Sequence, residues 1–452
     1  MALLNFPDNM FQILPGEPRL YGEYPEIRAG VQYFRNFMET GEWERRRDKT
    51  ARRFYQSLVG ERSKDKLGRF YSPNELFDWY LFLAEAINDH PQNYEVSYGS
   101  RVVPVFAAIG RNIHLVSSIE GFEERARRIV TSGQSQPNGG LFELLVALAY
   151  ARDGARVRFR PEQPGKRKTY DLDVEANGQS WAVECKRLEP GTYVENERAH
   201  KRTLWSAASR ALAATGRSYY ANVDFLTEVT DLSENHLTNH ITDFLRSGEL
   251  NQIRHDQHIR MVVGELDLDG IQSVLDTDVI LFPGPVYNKL LTGKYYRYDD
   301  LNIAHKVRFA ENPHYIDALS QAIVLRSRSL SEKAIEKKAR HIRRKLSEAC
   351  SQLPTDRPGV IHVGLEALGH DAIEVRRHEK IVDNIQRFDP KEKPLAYVFT
   401  HYFSPEASPE DAWAIDETFD WRRLRMGPMP LSQTSLLLPS DAIGREGSHW
   451  ES

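Results

Sequence analysis

Residues 169–188 read TYDLDVEANGQSWAVECKRL, and this stretch decides the fold that the sequence predicts. It contains two β-type runs, TYDLDVEA and SWAVECKRL, on either side of Asn177-Gly178. An Asn-Gly pair between two such runs is the strongest short-range signal of a β-hairpin, because both residues tolerate the positive φ of a type I′ turn. We therefore predict two antiparallel strands joined at Asn177-Gly178.

The hairpin bears charged side chains whose directions follow from the two-residue period of a strand. Asp171 and Asp173 are predicted to share one face of the first strand. Glu184 and Lys186 are predicted to share one face of the second strand. Neighbouring strands lie about 4.8 Å apart, so carboxylates from the two strands can meet, and they repel unless a cation or a proton lies between them. The pattern indicates a magnesium site, with a lysine placed to orient water or offset negative charge.

An apolar helix with a lone acidic residue is predicted to precede the hairpin. It begins at Gly139, reads GGLFELLVALAYARDGARV and contains Glu143, and the β-type run ARVRFR follows it. This order of a glutamate-bearing helix, a strand, an acid-bearing strand and an acidic-x-Lys strand resembles the PD-(D/E)xK nuclease superfamily, which includes restriction endonucleases. The resemblance covers Gly139 to Leu188, with Tyr170 where the family name has proline.

This resemblance implies a set of catalytic residues, namely Glu143, Asp171, Glu184 and Lys186. It also implies Mg²⁺, for which Mn²⁺ can substitute, bound by Asp171, Glu184 and the backbone carbonyl of Cys185. Glu143 would bind or position a second ion or its water. Lys186 would orient or deprotonate the attacking water.

The acidic-x-Lys triplet is weak evidence when taken alone. Residues 336–338, EKK, fall in a predicted charged helix, and residues 389–391, DPK, fall in a proline-interrupted loop. Only the triplet of the hairpin lies in an apolar strand after an acid-bearing strand. Two alternatives stay open from the residues themselves: Asp173 in place of Asp171 as the ligand, and a plain surface ion pair formed by the acids.

The chain of 452 residues is long enough for two or three domains. We predict an α/β protein with a restriction endonuclease-like three-layer core, in which helices flank a mixed β-sheet, and a helical N-terminal domain. The predicted boundaries are 1–130 for the helical domain, 131–405 for the nuclease domain with an insertion around 228–330, and 406–452 for a C-terminal extension with a loosely held tail. The last core strand is predicted either near 218–225 or near 359–365.

Composition excludes several classes of protein. The formal net charge of −4 argues against a protein that coats DNA indiscriminately, although a nuclease needs only one basic face. The two cysteines, Cys185 and Cys350, cannot form a disulfide framework, which favours a reducing cytoplasm. The sequence shows no secretory signal and no apolar run of about 18 residues, so we expect a cytoplasmic protein without a membrane partner.

Histidine and glycine patterns add no further chemistry. His236 and His240 stand four residues apart, but without an HExxH motif or cysteine pairs they do not predict a zinc site. No segment matches GxxxxGK[ST], so any ATP-driven motor or sensor would be a separate partner.

Together these features predict a magnesium-dependent DNA endonuclease, for which the resemblance implies a role in restriction or phage defence. The alternative is a non-catalytic nucleic-acid-binding or assembly protein that retains the nuclease fold, and the sequence does not separate DNA from RNA as the substrate. A homodimer is compatible with either function. A helix predicted at about 196–214 carries His200, Lys201 and Arg202, which we expect to contact phosphates.

Overall fold

Two mixed β-sheets surrounded by helices make up this α/β protein. The structure is a computed structural model and describes residues 10–12, 21–58, 71–161, 169–312, 314–339, 342–432, 435–439, 441–442, 444 and 446–451. Within that part of the chain, no helix combines the length and the apolar composition that crossing a membrane requires. Most of the N-terminal stretch in which we predict no secretory signal lies outside the described residues.

Five of the helices precede residue 132, in agreement with the predicted helical N-terminal region. The α-helices of the described residues are α1 (Pro25–Arg35), α2 (Glu42–Leu58), α3 (Leu76–Asp89), α4 (Val96–Arg111), α5 (Phe122–Thr131), α6 (Pro137–Arg152), α7 (Thr192–Ala213), α8 (His236–Ser247), α9 (Leu268–Leu275), α10 (Pro285–Thr292), α11 (Glu332–Lys338), α12 (Arg343–Gln352) and α13 (Asp371–Gln386). The strands are β1 (Arg156–Phe159), β2 (Leu172–Ala176), β3 (Gln179–Leu188), β4 (Tyr219–Phe225), β5 (Arg254–His255), β6 (Ile259–Glu265), β7 (Ile280–Leu281), β8 (Asp300–Phe309), β9 (Tyr315–Ser329), β10 (Gly359–Glu366), β11 (Leu395–Glu406) and β12 (Ala414–Arg423).

The first sheet contains the predicted hairpin and has the strand order β1-β2-β3-β10-β11-β12. β2 and β3 are antiparallel, and the turn residues Asn177 and Gly178 have φ of 53° and 75°. The Asn-Gly hairpin is therefore confirmed. β10 pairs with β3 in parallel, with Ile361 opposite Glu184, so the strand that follows the hairpin in the sheet is the one near 359–365.

The second sheet is formed by the chain between β3 and β10. Its order is β5-β6-β4-β9-β7, with β8 paired to β9. β4, the other predicted candidate for the last core strand, lies in this sheet and pairs with β6 and β9. The second sheet therefore includes residues before 228, where the sequence predicts an insertion to begin.

The N-terminal helices and the first sheet share one hydrophobic core. Phe34, Phe82 and Phe106 from the helices belong to the same buried cluster as Val183 of β3 and Phe399 of β11. The helices therefore pack directly on one face of the sheet. The opposite face packs against α12 and α13 in a second cluster, which includes Leu346 and Ile381.

The described part of the chain after residue 405, predicted as a C-terminal extension with a loosely held tail, contains an edge strand of the first sheet and two buried leucines. β12 pairs with β11 along its whole length, at the edge of the first sheet. Leu436 and Leu437 are buried in the same core as the N-terminal helices, and their amides donate hydrogen bonds of 2.8 and 2.9 Å to the Glu417 carboxylate. Burial of two leucines and capture of their amides by a buried acid hold this segment in place.

Two glycines allow α1 and α4 to cross closely. A Cβ at Gly110 would collide with the carbonyl oxygen of Glu26, and a Cβ at Gly30 would collide with that of Phe106. We expect Gly110→Ala to lower the free energy of unfolding by about 1–3 kcal/mol, because backbone cannot yield as a flexible side chain can. The matched control is Gly139→Ala, since a Cβ on that residue of α6 meets nothing within 4 Å. Urea denaturation should show the control unchanged or slightly stabilised, and equal losses for both variants would contradict the close crossing.

Candidate active site

The hairpin presents Glu184 and Lys186 on the face of the sheet that is covered by α12 and α13. Their strand neighbours Val183 and Cys185 point to the other side, into the core shared with the N-terminal helices. Ala182, two residues before Glu184, belongs to the second cluster. This alternation is the one that the sequence predicts for β3.

Asp171 lies immediately before β2 and reaches across to β3. Its Oδ2 accepts a 2.8 Å hydrogen bond from the amide of Cys185, and its Oδ1 lies 3.5 Å from a guanidinium nitrogen of Arg125. Burial raises the pKa of Asp171, and the Cys185 amide, Arg125 and Lys186 offset only part of that effect.

Glu184 is the most deeply buried acid of the hairpin, with 0% of its surface exposed. One carboxylate oxygen, Oε1, pairs with Lys186. The other, Oε2, is buried and has no hydrogen-bond partner among the described residues. Burial and then the neighbouring Asp171 carboxylate raise the pKa of Glu184 to about 9. Without a cation, this carboxyl group therefore keeps a proton at neutral pH.

Lys186 remains charged beside these acids. Burial alone would lower its pKa, but the Glu184 carboxylate and then Asp171 outweigh burial, so the pKa of Lys186 is raised. Its side chain is 20% exposed. A cation held in this way can orient a water molecule or offset developing negative charge.

Glu143 lies on α6 and is joined to the hairpin through Arg125 of α5. Arg125 forms ion pairs with both Glu143 and Asp171. Glu143 therefore reaches Asp171 through the Arg125 guanidinium, which lies between the two carboxylates.

Asp171 and Glu184 are the acids placed to share an ion, and the backbone of Cys185 can join them. The N–H and the C=O of a strand residue point to the same edge. The amide of Cys185 donates to Asp171, which lies on the β2 side of β3. The carbonyl of Cys185 therefore points to the β2 side as well, at a level beyond the first residue of β2. Two carboxylates, one carbonyl and water are ligands that suit Mg²⁺.

Asp173 does not join the site, although the sequence placed it on the same face as Asp171. Its carboxylate accepts hydrogen bonds from Tyr170 at 2.8 Å, from Arg158 at 2.9 Å and from Arg357 at 3.3 Å. Burial would raise the pKa of Asp173, but the Tyr170 hydroxyl and the guanidinium groups of Arg158 and Arg160 outweigh burial and lower the pKa. The side chains of the two aspartates have different partners because Asp171 precedes the first residue of β2 whereas Asp173 lies within the strand. The alternation of side chains along β2 therefore does not fix the direction of the Asp171 side chain.

The predicted phosphate contacts lie on α7, which packs on the second sheet. Lys201 is buried, and its ammonium lies 2.6 Å from an oxygen of Asp300 and 3.2 Å from one of Glu197. These two carboxylates match the charge of Lys201 inside the protein, which disfavours the predicted contact with phosphates. His200 lies 3.0 Å from the carbonyl of Leu232, and Arg202 is partly exposed.

Arg125 is the residue of the site that the sequence did not reveal. It lies in FEERARRIVT, a helix with three arginines and two glutamates, in which nothing local distinguishes one arginine from the next. Its role depends on the packing of α5 against α6 and β1, which brings Arg125 to Glu143 and Asp171.

Comparisons with known proteins assign no relatives to this fold and site. No protein-family model matches the chain, and neither a curated protein nor a solved structure matches it.

Proposed function

We propose that this protein is a divalent-metal-dependent nuclease that hydrolyses phosphodiester bonds, with DNA as its expected substrate. The observation that carries the proposal is the buried Glu184 carboxyl group. Its Oε2 has no hydrogen-bond partner in the described chain, it lies beside Asp171, and its Oε1 pairs with Lys186. Burial and the Asp171 carboxylate destabilise the ionised form of Glu184, and a bound cation would offset that cost.

The order of elements supports this proposal. A glutamate-bearing helix, α6, is followed by β1, by the acid-bearing β2 and by the Glu-Cys-Lys strand β3, and β10 then lies parallel to β3. This is the arrangement that the resemblance to PD-(D/E)xK nucleases implies, with the second sheet as an insertion. A restriction endonuclease-like core and a role in restriction or phage defence are part of the proposal.

A magnesium ion bound by Asp171, Glu184 and the Cys185 carbonyl would supply Lewis acidity at the scissile phosphate. The raised pKa of Lys186 favours a charged lysine that orients the attacking water and offsets negative charge, and disfavours a neutral base. Arg125 offers a second positive charge next to Asp171. Glu143 acts as a positioning residue, because it holds the Arg125 guanidinium in place.

Exposed arginines form an arginine border around the hairpin, although each also lies beside an acid: Arg156 near Glu175, Arg158 with Asp173 and Arg344 near Glu348. β1, which pairs with β2, carries Arg156 and Arg158 with 79% and 50% of their side chains exposed. α12, which packs on β3, carries Arg344 with 78% exposed. Exposed arginines can contact the phosphates of a nucleic acid whatever its base sequence. A local group of arginines is therefore compatible with nucleic-acid binding even though the net charge of the whole chain is acidic.

One observation favours a second candidate, a nucleic-acid-binding protein whose site has lost its metal. The Arg125 guanidinium already offsets charge on Glu143 and Asp171 without an ion. In that case the hairpin would be a structural ion-pair cluster on a retained fold.

A cleavage assay separates the two functions. The full chain is incubated with linear DNA, circular DNA, single-stranded DNA and RNA, in Mg²⁺, in Mn²⁺ and in EDTA. We expect cutting in either metal and none in EDTA, and cutting of the circle identifies an endonuclease. Tight binding of DNA without cutting in any metal would contradict the nuclease and support the second candidate, the nucleic-acid-binding protein.

A further inference from the structure

Two histidines and an aspartate converge on one point in the second sheet, and none of them belongs to the hairpin site. His236 and His240 are one turn apart on α8, and Asp256 lies in the turn between β5 and β6. Oδ2 of Asp256 is 3.1 Å from Nε2 of His236 and 3.0 Å from Nε2 of His240. In the described part of the chain, this is the one group of three such side chains whose ligand atoms all lie within 4.8 Å of one another.

The three side chains are held in this arrangement by their surroundings. Oδ1 of Asp256 accepts hydrogen bonds of 2.7 and 2.8 Å from the amides of His258 and Ile259. This pair of bonds orients the carboxylate and leaves Oδ2 directed at the histidines. On the other side, Leu237 and Ile241 anchor α8 in the core of the second sheet. The site is therefore organised before any ligand binds.

Hydrogen bonding accounts for only one of the two histidine contacts, that between Nε2 of His240 and Oδ2 of Asp256 at 3.0 Å. Nε2 of His236 is buried and makes no hydrogen bond of acceptable geometry among the described residues, although it lies 3.1 Å from Asp256. Ligand atoms about 2.0–2.1 Å from a tetrahedral zinc ion stand about 3.3 Å apart. The observed separations of 3.0 and 3.1 Å are close to that spacing.

We propose that His236, His240 and Asp256 bind a zinc ion. Two imidazoles and one carboxylate suit zinc, whereas Mg²⁺ prefers a shell of oxygen atoms. Water can complete the four ligands of zinc, and the ring of His258 lies nearby, with its centroid 5.4 Å from that of His236. The ion joins α8 to the β5–β6 turn, so its role is to stabilise the second sheet, whatever the hairpin site does.

The test uses the full chain after removal of metal with a chelator. Zn²⁺ affinity is measured by competition with a chromophoric chelator, and Co²⁺ is added as a spectroscopic probe. We expect one tight Zn²⁺ per chain, a rise in the thermal unfolding midpoint on adding zinc, and the intense visible absorption of tetrahedral Co²⁺. The oxygen ligands of the hairpin site would give only the weak absorption of octahedral Co²⁺, so the two sites are distinguished.

His240→Ala and Asp256→Asn are the informative variants, and His255→Ala is the matched control. His255 is an exposed histidine on β5, one residue from Asp256, and it is not part of the group. We expect both variants to weaken zinc binding at least tenfold and to lose the tetrahedral Co²⁺ spectrum, whereas the control keeps both. Asparagine retains an oxygen for the two backbone amides, so Asp256→Asn should stay folded. Unchanged zinc affinity in His240→Ala, or no tight binding by the unaltered chain, would overturn the site.

Discussion

Lys186→Ala is expected to reduce Mg²⁺-dependent cleavage of DNA by at least about 100-fold, which is the scale of losing one group that stabilises developing charge. The lysine ammonium pairs with Glu184 and is kept charged by that carboxylate and by Asp171. Alanine removes the positive charge that orients water and offsets charge on the phosphate. The effect should appear mainly in kcat, since DNA binding relies on the arginine border around the hairpin. Single-turnover cleavage and a DNA-binding titration measure the two quantities separately.

The matched control for this loss is Lys333→Ala, which removes an exposed lysine from α11. Lys333→Ala changes the net charge by the same amount as Lys186→Ala. A loss of cleavage rate shared by both variants would therefore reflect the change in net charge and not the loss of a catalytic group. We expect the control to cut at the rate of the unaltered protein. If Lys186→Ala, equally folded, also cuts at that rate, the assignment of the hairpin as the catalytic site is wrong.

Glu184 should make stability depend on pH in the absence of divalent metal. Its pKa in the folded protein is raised from an ordinary value near 4.5 to about 9 by burial and by Asp171. Between these values the folded state binds more protons than the unfolded state, so the free energy of unfolding falls as pH rises, by up to about 1.4 kcal/mol per pH unit. The raised pKa of Asp171 acts in the same direction. The raised pKa of Lys186 acts only above the ordinary lysine range, so it leaves this window unaffected.

Magnesium should reverse this loss at the alkaline end of the window, because it binds the deprotonated carboxylates. With Mg²⁺ at about 100 times its Kd, the expected gain is about 3 kcal/mol. Urea denaturation at several pH values, in EDTA and in Mg²⁺, measures both effects. Glu184→Gln should remove most of the pH slope and the response to Mg²⁺, because the amide neither titrates nor offers a charged ligand.

Glu175→Gln is the control for this experiment, because it removes an acid from the same hairpin that is 63% exposed. An exposed carboxylate has little to gain from a cation or a proton, so the slope and the Mg²⁺ response should persist. A Glu184→Gln variant that keeps both would contradict the role of Glu184 as a metal ligand.

Much of the hairpin could be predicted from local sequence. Asn177 and Gly178 can adopt positive φ at little energetic cost, so these two residues predict the hairpin turn. The faces of Glu184 and Lys186 then follow from the period of a strand. β10 lies parallel to β3, at one of the two positions that the sequence offers for the last core strand. These features depend on neighbours in the sequence or on a clear pattern of apolar residues.

Other features depend on contacts between residues that are distant in the sequence. Lys201 looked like a surface cation, but Asp300 and Glu197 neutralise it inside the second sheet. His236 and His240 did not predict a metal site, because the third residue of the group, Asp256, lies on a different element. No fixed spacing in the sequence links Asp256 to the two histidines. The sequence by itself determined the hairpin, its turn and the faces of its charged residues, since bonded geometry and strand period act over a few residues. Only the tertiary structure decided that Arg125 meets Glu143 and Asp171, and that Asp256 meets two histidines, because such encounters arise from how helices pack on sheets.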